Sequence, residues 1–366
     1  VTGVQTCALP ISFNEKGCPD GWRETFSGLF FCEKGQFTKI KEEIPMACCP
    51  KSIIEDVLKK HDKITHVYFV ACGGSYAGLY PAKYFLQSEA KDLIIGHYSS
   101  NEFCHATPKA LGKDSIVITQ SFSGTTPETV RAAGIAQEAG AASIAVTYDA
   151  ESPLAKNGDH VVTYGTTKEP NDNGHAKALW LAVEILNQIE GYAHYDAFMA
   201  SYEKYNEIVP VAKEKFAPTA KAWAEKYGEE KLIYVMGSGP NFGVTYSYAI
   251  CLLQEMQWIH SSAIHSGEYF HGPFEITDKD VPFIMMMSTG RTRALDQRAL
   301  DFLHRFGEKI MVLDNEEMGL NALDPNVAEF FNQIFTAALL DMFYMDLCEV
   351  RKHPRPTRRY MWKLKY

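Results

Sequence analysis

A ten-residue pattern occurs twice in this chain, and it limits the possible folds more than any other feature. Residues 69–78 align with residues 234–243, and in each copy an apolar run leads into a glycine-containing turn and a helical pattern. A second turn also repeats, because residues 123–126 align with residues 289–292, each after an apolar run. Strand, turn and helix in this order, present twice, predict two α/β units in tandem. A chain of 366 residues is long enough for two such cores.

The turn at residues 121–126, Ser-Phe-Ser-Gly-Thr-Thr, has the composition of an anion site. It follows the apolar run 115–119, predicted to be a buried strand, and precedes Pro127, predicted to lie in the first turn of a helix. Hydroxyl and backbone N–H groups at the positive end of a helix dipole bind anions, usually phosphate. The turn has no lysine, which suits a phosphate that is held rather than transferred. The alternative is an ordinary turn that caps a helix.

A second glycine-rich turn favours the phosphate interpretation. Residues 72–78, Cys-Gly-Gly-Ser-Tyr-Ala-Gly, follow a predicted strand at 67–71 and precede a helical pattern. Turns that follow neighbouring parallel strands converge at the carboxyl edge of the sheet, where open α/β folds bind ligands. No P-loop lysine follows, and no acidic residue clearly completes a dinucleotide fingerprint. In the second copy Pro240 replaces Ser75, so that copy has lost one phosphate-binding hydroxyl.

Composition and charge exclude several classes of protein. Hydrophobic residues make up 46% of the chain and charged residues 22%, as in soluble globular proteins. The formal net charge of −9 argues against nucleic acid as a partner. No apolar run approaches the length of a membrane span and no convincing signal peptide is found. We therefore expect a cytoplasmic protein without a membrane partner.

The same patterns divide the chain into segments. Residues 1–11 resemble the translation of a sequencing adapter, and residues 12–50 form an uncertain N-terminal segment without clear periodicity. The predicted organisation of the remainder is a first α/β unit at 51–191, a helical linker at 192–229, a second unit at 230–350 and a basic, aromatic tail at 351–366. We therefore base the fold prediction on residues 51–366 alone.

Two residues of the second unit are candidates for chemistry. Glu255 lies in a helical pattern at 246–258 that is apolar on most faces. A carboxylate there is either paired with a cation or has a raised pKa, in the range of a general acid or base. A salt-bridged structural role for Glu255 is the alternative. His271 stands next to Gly272, which predicts a bent backbone that leaves the ring free, as a proton shuttle requires.

A metal site is the rival interpretation of residues 260–273, which are dense in ionisable groups. His260, His265 and His271 do not share the i, i+4 spacing of helical zinc ligands, and the chain has no His-Glu-x-x-His motif. We therefore expect no metal at this segment.

These motifs together resemble those of proteins with two SIS (sugar isomerase) domains. The resemblance covers roughly residues 51–366 and depends on Glu255 and on the motifs at 72–75, 121–126 and 267–273. The chain resembles the isomerase half of glucosamine-6-phosphate synthase and, more closely, the fructosamine-6-phosphate deglycases. The resemblance implies two tandem SIS domains, each a parallel sheet flanked by helices in a flavodoxin- or Rossmann-like three-layer sandwich.

The resemblance also implies roles for individual residues. Phosphate contacts are implied for four hydroxyl side chains: Ser75, Ser121, Ser123 and Thr126. Weaker substrate contacts are implied for four further residues: Gly73, Gly74, Gly124 and Glu268. Glu255 corresponds to the catalytic glutamate and His271 to the histidine that opens the sugar ring. In the synthase that histidine comes from a neighbouring subunit, which implies a homodimer or higher homo-oligomer with shared active sites.

Two positions depart from the synthase. Gln254 stands where the synthase has a lysine before its catalytic glutamate, and Phe122 stands where its turn has a glutamine. No glutaminase domain is found before the pair of units, so we do not expect ammonia transfer from glutamine. The deglycases share the same glutamate and histidine, which favours them.

The implied activity is the cleavage of an Amadori compound, a fructosamine 6-phosphate such as fructoselysine 6-phosphate, to glucose 6-phosphate and a free amine. Glu255 would remove a proton from C1 to give an enaminol, without a metal or an organic cofactor. The same groups suit a phosphosugar ketose–aldose isomerase or a glucosamine-6-phosphate deaminase. A non-catalytic sugar-phosphate sensor is disfavoured, because Glu255 and His271 are both present and no DNA-binding domain is recognised.

Overall fold

The protein has an α/β architecture, as the sequence predicts. The computed structural model describes residues 49–365, so the predictions for residues 1–11 and most of residues 12–50 lie outside the described residues. The strands are β1 (His66–Ala71), β2 (Ile94–Ser99), β3 (Ser115–Gln120), β4 (Ala142–Thr147), β5 (His160–Thr163), β6 (Leu232–Gly237), β7 (His260–His265), β8 (Phe283–Met287) and β9 (Ile310–Asp314). The helices are α1 (Pro50–Lys60), α2 (Gly73–Gly78), α3 (Tyr80–Glu89), α4 (Ser100–His105), α5 (Pro127–Glu138), α6 (Pro153–Lys156), α7 (Gly174–Ile189), α8 (Tyr195–Tyr227), α9 (Phe242–Ser247), α10 (Arg293–Phe306) and α11 (Asn332–Val350). A π-helix, Tyr248–Met256, continues directly from α9.

The strands form two sheets with the same internal order. The first sheet has the order β2-β1-β3-β4-β5 and the second has the order β7-β6-β8-β9. The strand pairs of both sheets are parallel. In each sheet the first strand of the unit lies between the second and the third, so the two units share one topology. The prediction of tandem α/β units is therefore confirmed.

The inner strands are continuous apolar runs because helices cover both faces of each sheet. All residues of β3 and of β4 are buried, and so are all residues of β8. A parallel sheet that is covered on both faces needs such runs rather than an alternation of apolar and polar residues. At the edge of the first sheet, β2 is partly exposed along its whole length. The buried strands are therefore the ones that the sequence predicted most readily.

Local sequence signals determine where the helices after the polar turns begin. The side chain of Ser99 accepts a hydrogen bond from the Glu102 N–H at 3.3 Å and so caps the start of α4. Pro127 is the first residue of α5, also as predicted. The start of α5 therefore lies directly after the hydroxyl-rich turn 121–126.

Two predictions near the candidate site are wrong in detail. The helix predicted at 246–258 is wound in two ways, because α9 ends at Ser247 and the π-helix follows. Residues 260–265, for which the sequence predicts no strand, form β7, which pairs with β6. β7 is an edge strand, so its polar side chains stay partly solvated and it lacks the apolar signal of a buried strand.

The two units share one hydrophobic core. Phe85 of α3 packs edge-on against Phe330 of the second unit, with ring centroids 4.9 Å apart. α8 packs along α11, and the Tyr205 hydroxyl donates a hydrogen bond to the Ile334 carbonyl at 3.0 Å. The largest buried cluster therefore contains apolar residues of both units. α8 has 33 residues, yet neither it nor another helix within residues 49–365 is long and apolar enough to cross a membrane.

Candidate active site

Both polar turns of the first unit leave the same edge of the first sheet, side by side. β1 and β3 are neighbours in which Ala71 pairs with Gln120, and the turns begin at the next residues, Cys72 and Ser121. β2 lies on the other side of β1, so the strand order reverses at this point and the following helices leave a crevice between them. The convergence of the two turns that the sequence predicts is therefore present.

The hydroxyl groups of the turn 121–126 pair with one another. Ser121 is buried and shares a hydrogen bond with the Thr126 hydroxyl at 2.9 Å. Ser123 is exposed and shares a hydrogen bond with the Thr125 hydroxyl at 2.8 Å. A hydroxyl group can donate one hydrogen bond and accept two, so each pair keeps the capacity to bind a further group. This arrangement can hold an anion at its exposed side.

Glycines let the backbone of both turns bend sharply. Gly124 has a φ of +63°, and a Cβ at this position would lie 2.1 Å from the Ser152 hydroxyl oxygen. Gly73 has a φ of +55°, which L side chains rarely adopt. The N–H groups of Gly73 and Gly74 in α2 and of Glu128 in α5 form no backbone hydrogen bond within the described residues, so they are available to a ligand at this edge.

Ser75 lies half-buried in the first turn of α2, next to exposed Gly74. Its N–H donates a hydrogen bond to the Cys72 carbonyl at 3.1 Å. Its hydroxyl forms no hydrogen bond with any other residue in the part of the chain that the structure describes. Ser75 therefore offers an uncommitted hydroxyl at the same sheet edge as the turn 121–126.

The corresponding edge of the second sheet is occupied by a carboxylate of the protein itself. Asp296 of α10 is fully buried and accepts hydrogen bonds from the hydroxyls of Ser238 at 2.6 Å, Ser266 at 2.7 Å and Ser288 at 2.6 Å. The Ser288 N–H donates to the same carboxylate at 2.9 Å. Burial raises the pKa of Asp296, and the serine hydrogen bonds oppose that rise. These serines follow β6, β7 and β8, so the anion position of the second unit is filled from within.

Glu255 belongs to the second unit, and the π-helix that carries it packs against the glycine turn of the first. It stands near the end of the π-helix, a rare winding that occurs frequently at functional sites. Cys251, four residues earlier, contacts that turn, because its sulfur would lie 3.9 Å from a Cβ placed on Gly73. Glu255 therefore lies about one helical turn from this contact.

The Glu255 carboxylate is mostly buried and paired with Arg358. Its side chain is 23% exposed, and Nη2 and Nε of Arg358 lie 2.8 Å and 3.0 Å from Oε1. Burial raises the pKa of Glu255 above its ordinary value, and the Arg358 charge and hydrogen bonds partly oppose this. Both features that the sequence offered as alternatives, a paired carboxylate and a raised pKa, are thus present together. Both contacts go to Oε1, so Oε2 is the oxygen that can take a proton.

His271 and Glu268 lie elsewhere on the surface of the same chain. His271 ends a short 3₁₀-helix (Tyr269–His271) and is exposed, as is Glu268, whose carbonyl accepts the His271 N–H at 2.9 Å. The bent backbone predicted next to His271 is present, with a φ of +136° at Gly272. β7 separates this segment from Glu255 and carries the chain forward by about 20 Å. Within residues 49–365 no hydrogen bond or ion pair joins His271 to Glu255.

The histidines of this segment do not form a metal site together. Within residues 49–365 no group of three His, Cys, Asp or Glu side chains is arranged to hold a metal ion. His265 is half-buried and its Nδ1 accepts a hydrogen bond from the Gly267 N–H at 3.1 Å, while His260 is exposed. His265 thus accepts a backbone hydrogen bond, and His260 and His271 are exposed to solvent.

Sequence reasoning missed two residues of this region, Arg358 and Asp296. The sequence shows that the tail at 351–366 is basic, which indicates that some of its cations pair with carboxylates. No pattern in the sequence identifies Glu255 as the partner of Arg358. Asp296 lies in an amphipathic helix where an acidic residue in the first turn is ordinary.

Comparison with known sequences places the chain among sugar-phosphate proteins. The family model described as SIS domain matches residues 62–188. Fructosamine deglycase FrlB of Bacillus subtilis (strain 168) is 41% identical over 309 residues, which cover 84% of this chain and 94% of that protein. Fructoselysine 6-phosphate deglycase of Escherichia coli (strain K12) is 25% identical over 330 residues, which cover 88% of this chain and 91% of that protein.

Solved structures give the same architecture. A Salmonella typhimurium LT2 protein, described as a candidate phosphosugar isomerase, is 44% identical with a TM-score of 0.86 and covers 90% of this chain and 100% of its own. A Bacillus subtilis protein with the same description is 40% identical with a TM-score of 0.83 and covers 87% of this chain and 98% of its own. The similarity therefore extends over both sheets.

Proposed function

The chain belongs to the family of proteins with SIS domains, and we propose that it is a deglycase that cleaves fructosamine 6-phosphates to glucose 6-phosphate and a free amine. The observation that carries this proposal is the largely buried carboxylate of Glu255, on a π-helix of one unit that packs against the glycine turn of the other. The 41% identity to a fructosamine deglycase over 94% of that protein supports the same activity. The substrate is then a ketose with a phosphate at C6 and a secondary amine at C1.

We propose that the phosphate binds at the carboxyl edge of the first sheet. The donors are the hydroxyls of Ser75, Ser121, Ser123 and Thr126 and the N–H groups of Gly73, Gly74 and Glu128 at the starts of α2 and α5. Gly73, Gly74 and Gly124 lack side chains, so the phosphate oxygens can approach the backbone closely. Hydrogen bonds to a charged group contribute about 1.5–3 kcal/mol each, which is enough to separate phosphorylated from plain sugars.

The proposed chemistry is two proton transfers and a hydrolysis. Oε2 of Glu255 removes a proton from C1, and the electron pair of that C–H bond forms the C1–C2 double bond of an enaminol while the C2 oxygen takes a proton from water. Protonated Glu255 then returns its proton to C2, and the amine nitrogen gives its own proton back to the solvent, which leaves an imine between C1 and the nitrogen. Water adds to C1, the C–N bond breaks, and the products are glucose 6-phosphate and the amine. The raised pKa of Glu255 suits a group that both accepts and donates a proton.

We further propose that His271 of the partner subunit acts at this site in a homodimer. His271 is exposed and about one strand length from Glu255 of its own chain, so a second copy is the simplest way to join them. Apolar side chains near it, Ile276 and Phe306, are 40% and 44% exposed, which supports an interface on this face. Glu268, on the same segment, would then approach the substrate with His271. A twofold dimer would contain two such composite sites.

The proposed activity is tested with a panel of fructose-amino-acid 6-phosphates. We expect the purified protein to release glucose 6-phosphate and free amino acid in equal amounts, and Glu255→Gln to release neither. The unphosphorylated compounds serve as the matched control and are expected to react poorly. No release from any phosphorylated member of the panel would exclude the deglycase.

A phosphosugar isomerase is the second candidate. The description of the solved structures that are 44% and 40% identical favours it. An isomerase would interconvert fructose 6-phosphate and glucose 6-phosphate in the same assay and release no amine. A glucosamine-6-phosphate deaminase would release ammonia instead. In each case we propose a cytoplasmic location, because a charged phosphate prevents unaided passage through a membrane.

A further inference from the structure

Three aromatic rings follow one another beside the turn 121–126, and the proposed chemistry uses none of them. Phe122 is stacked on Tyr148, with ring centroids 5.2 Å apart and ring planes 24° apart, and its ring centroid lies 5.9 Å from that of Tyr164. Tyr164 is buried, Phe122 is half-buried and Tyr148 is 43% exposed. The rings thus run from the core to the surface, where Tyr148 presents an aromatic ring to solvent.

Hydrogen bonds fix the backbone of Tyr148 to the hydroxyl-rich turn. The Tyr148 N–H donates to the Phe122 carbonyl at 3.1 Å, and the Thr147 hydroxyl donates to the same carbonyl at 3.2 Å. Further along the chain, the Leu154 N–H donates to the Gly124 carbonyl at 2.9 Å. The fold therefore determines where Tyr148 lies relative to the proposed phosphate position.

Tyr148 and the glycine turn lie on opposite sides of the turn 121–126. The strand order is β2-β1-β3-β4-β5, so β1 and β4 are the two neighbours of β3. The turn 121–126 follows β3, the glycine turn that contacts the π-helix follows β1, and Tyr148 follows β4. A phosphosugar that reaches from the turn 121–126 to Glu255 extends towards β1. The proposed substrate therefore leaves the ring of Tyr148 uncovered.

A carboxylate comes directly after this ring. Asp149 is exposed, and its Oδ1 accepts a hydrogen bond from the Glu151 N–H at 2.8 Å. Its Oδ2 has no hydrogen-bond partner within residues 49–365. In α/β folds that bind nucleotides, an acidic residue after a strand accepts hydrogen bonds from the hydroxyl groups of the ribose. The region thus contains hydroxyl donors, an aromatic ring and a carboxylate oxygen, which suit the phosphate, base and ribose of a nucleotide.

We propose that a nucleoside 5′-monophosphate binds here, with its phosphate at the turn 121–126, its base on Tyr148 and its ribose next to Asp149. The inference rests on the proposed phosphate position and not on the deglycase chemistry. The base of such a nucleotide lies about 5–7 Å from the phosphorus atom, which is similar to the separation of about 5 Å between neighbouring strands such as β3 and β4. The nucleotide and the phosphosugar share one phosphate position, so each excludes the other.

The experiment measures the binding of three probes by isothermal titration calorimetry: adenosine 5′-monophosphate, ribose 5-phosphate, which lacks the base, and adenosine, which lacks the phosphate. Stacking of a base on an aromatic side chain raises affinity by about 5- to 150-fold. We therefore expect the wild-type protein to bind adenosine 5′-monophosphate at least about 5-fold more tightly than ribose 5-phosphate, and adenosine only weakly. Saturating glucose 6-phosphate should abolish the binding of adenosine 5′-monophosphate.

Tyr148→Ala is expected to bring the affinities for adenosine 5′-monophosphate and ribose 5-phosphate to the same value. Tyr148→Phe is the matched control, because it keeps the ring, and it should keep the wild-type ratio of the two affinities. The double variant Ser121→Ala, Ser123→Ala should weaken the binding of both phosphates by similar factors and also keep the ratio. Neither variant of Tyr148 should change kcat/KM for the phosphosugar, since that ring does not contact it.

Three outcomes overturn the inference while the deglycase function stands: a wild-type ratio near 1, a ratio that Tyr148→Ala leaves unchanged, and binding that glucose 6-phosphate does not displace. If neither phosphate binds at all, the inference and the proposed phosphate position fail together. If the expected ratios are found and the protein releases no amine from any fructosamine 6-phosphate, the deglycase is excluded and the inference is supported. The wild-type ratio needs no variant, so the test does not depend on the folding of one.

Discussion

At the carboxyl edges of the two sheets the first three strands have the same order, but the serine hydroxyls have different partners. At the first edge the hydroxyls of Ser121 and Ser123 form hydrogen bonds within their own turn, with threonine hydroxyls and with the Thr125 N–H. At the second edge Ser238 and Ser288 donate to the buried carboxylate of Asp296. One edge therefore has donors that can bind an external anion, and the other has given its donors to an internal one. The comparison teaches that the shared topology creates a position for an anion in both units. The side chains determine whether a carboxylate of the protein itself occupies that position.

The second unit contributes in another way. Its first turn carries Pro240, which has no N–H to donate, and Thr292 packs so closely that its hydroxyl oxygen would lie 2.3 Å from a Cβ on Gly239. The π-helix that follows this closed turn packs against the turn of the first unit and carries Glu255. One unit thus presents uncommitted hydroxyl groups at its edge, and the other contributes a largely buried carboxylate.

The largest expected effect is that of Glu255→Gln on catalysis. This change removes the proposed base and keeps the shape of the side chain, so kcat should fall by about 100- to 10,000-fold while phosphosugar binding changes little. Exchange of the C1 proton with deuterated solvent, followed by NMR, should vanish as well. Exchange at the wild-type rate would show that another residue is the base. It would contradict the proposal that the second unit supplies the base and the first unit binds the phosphate.

Mixing two inactive variants tests whether the second unit also serves a neighbouring chain. In a heterodimer of Glu255→Gln and His271→Ala, one of the two sites would contain both wild-type residues. After random exchange of subunits we expect about a quarter of the wild-type activity to return. Mass spectrometry under native conditions monitors heterodimer formation. If heterodimers form and activity stays absent, His271 does not act across the interface.

Asp296→Ala is expected to lower the free energy of unfolding by about 3–4 kcal/mol, because three buried serine hydroxyls lose their acceptor. Urea unfolding followed by circular dichroism measures this value. Asp301→Ala, an exposed position on the same helix, is the control and should change the free energy of unfolding by less than about 0.5 kcal/mol. A small effect of Asp296→Ala would mean that the second edge is not held together by its internal anion.

The double variant Ser121→Ala, Ser123→Ala is expected to raise KM by about 10- to 100-fold with a smaller change in kcat, because it removes donors to the phosphate. Ser288→Ala is the matched change at the other edge. It should lower the unfolding midpoint and leave KM unchanged, since its hydroxyl donates only to the protein. Equal KM values for the double variant and for Ser288→Ala would contradict the proposal that only the first edge binds the phosphate.

The smallest expected effect is on the pH dependence. Glu255 must be unprotonated to act as a base, so kcat/KM should fall as the pH drops through its pKa. Burial raises that pKa above 4.5, and Arg358 opposes the rise. The acid limb of the profile should therefore lie above pH 4.5 and move further up in Arg358→Gln. A limb that moves down would show that the guanidinium does not stabilise the charged form.

The sequence predicted the parts of this comparison that depend on local patterns. The buried strands appear as apolar runs, and the turns appear as glycine and hydroxyl clusters in front of Pro127. The partner of Glu255 could not be predicted, because Arg358 is 103 residues away in the chain and only tertiary packing joins them. Asp296 was missed for the same reason, since Ser238 lies 58 residues before it.

The type of helix also determines the direction in which a side chain points. From Tyr248 to Glu255 the chain follows a π-helix, which advances through a smaller angle per residue than an α-helix. Over these seven residues the accumulated rotation about the helix axis differs by roughly a third of a turn. An α-helix over the same residues would therefore point the carboxylate in a different direction. The direction in which the Glu255 side chain points is therefore determined by the backbone hydrogen bonds of the π-helix that precede it. A deletion of one residue in this stretch would redirect the carboxylate without changing a single group at the site.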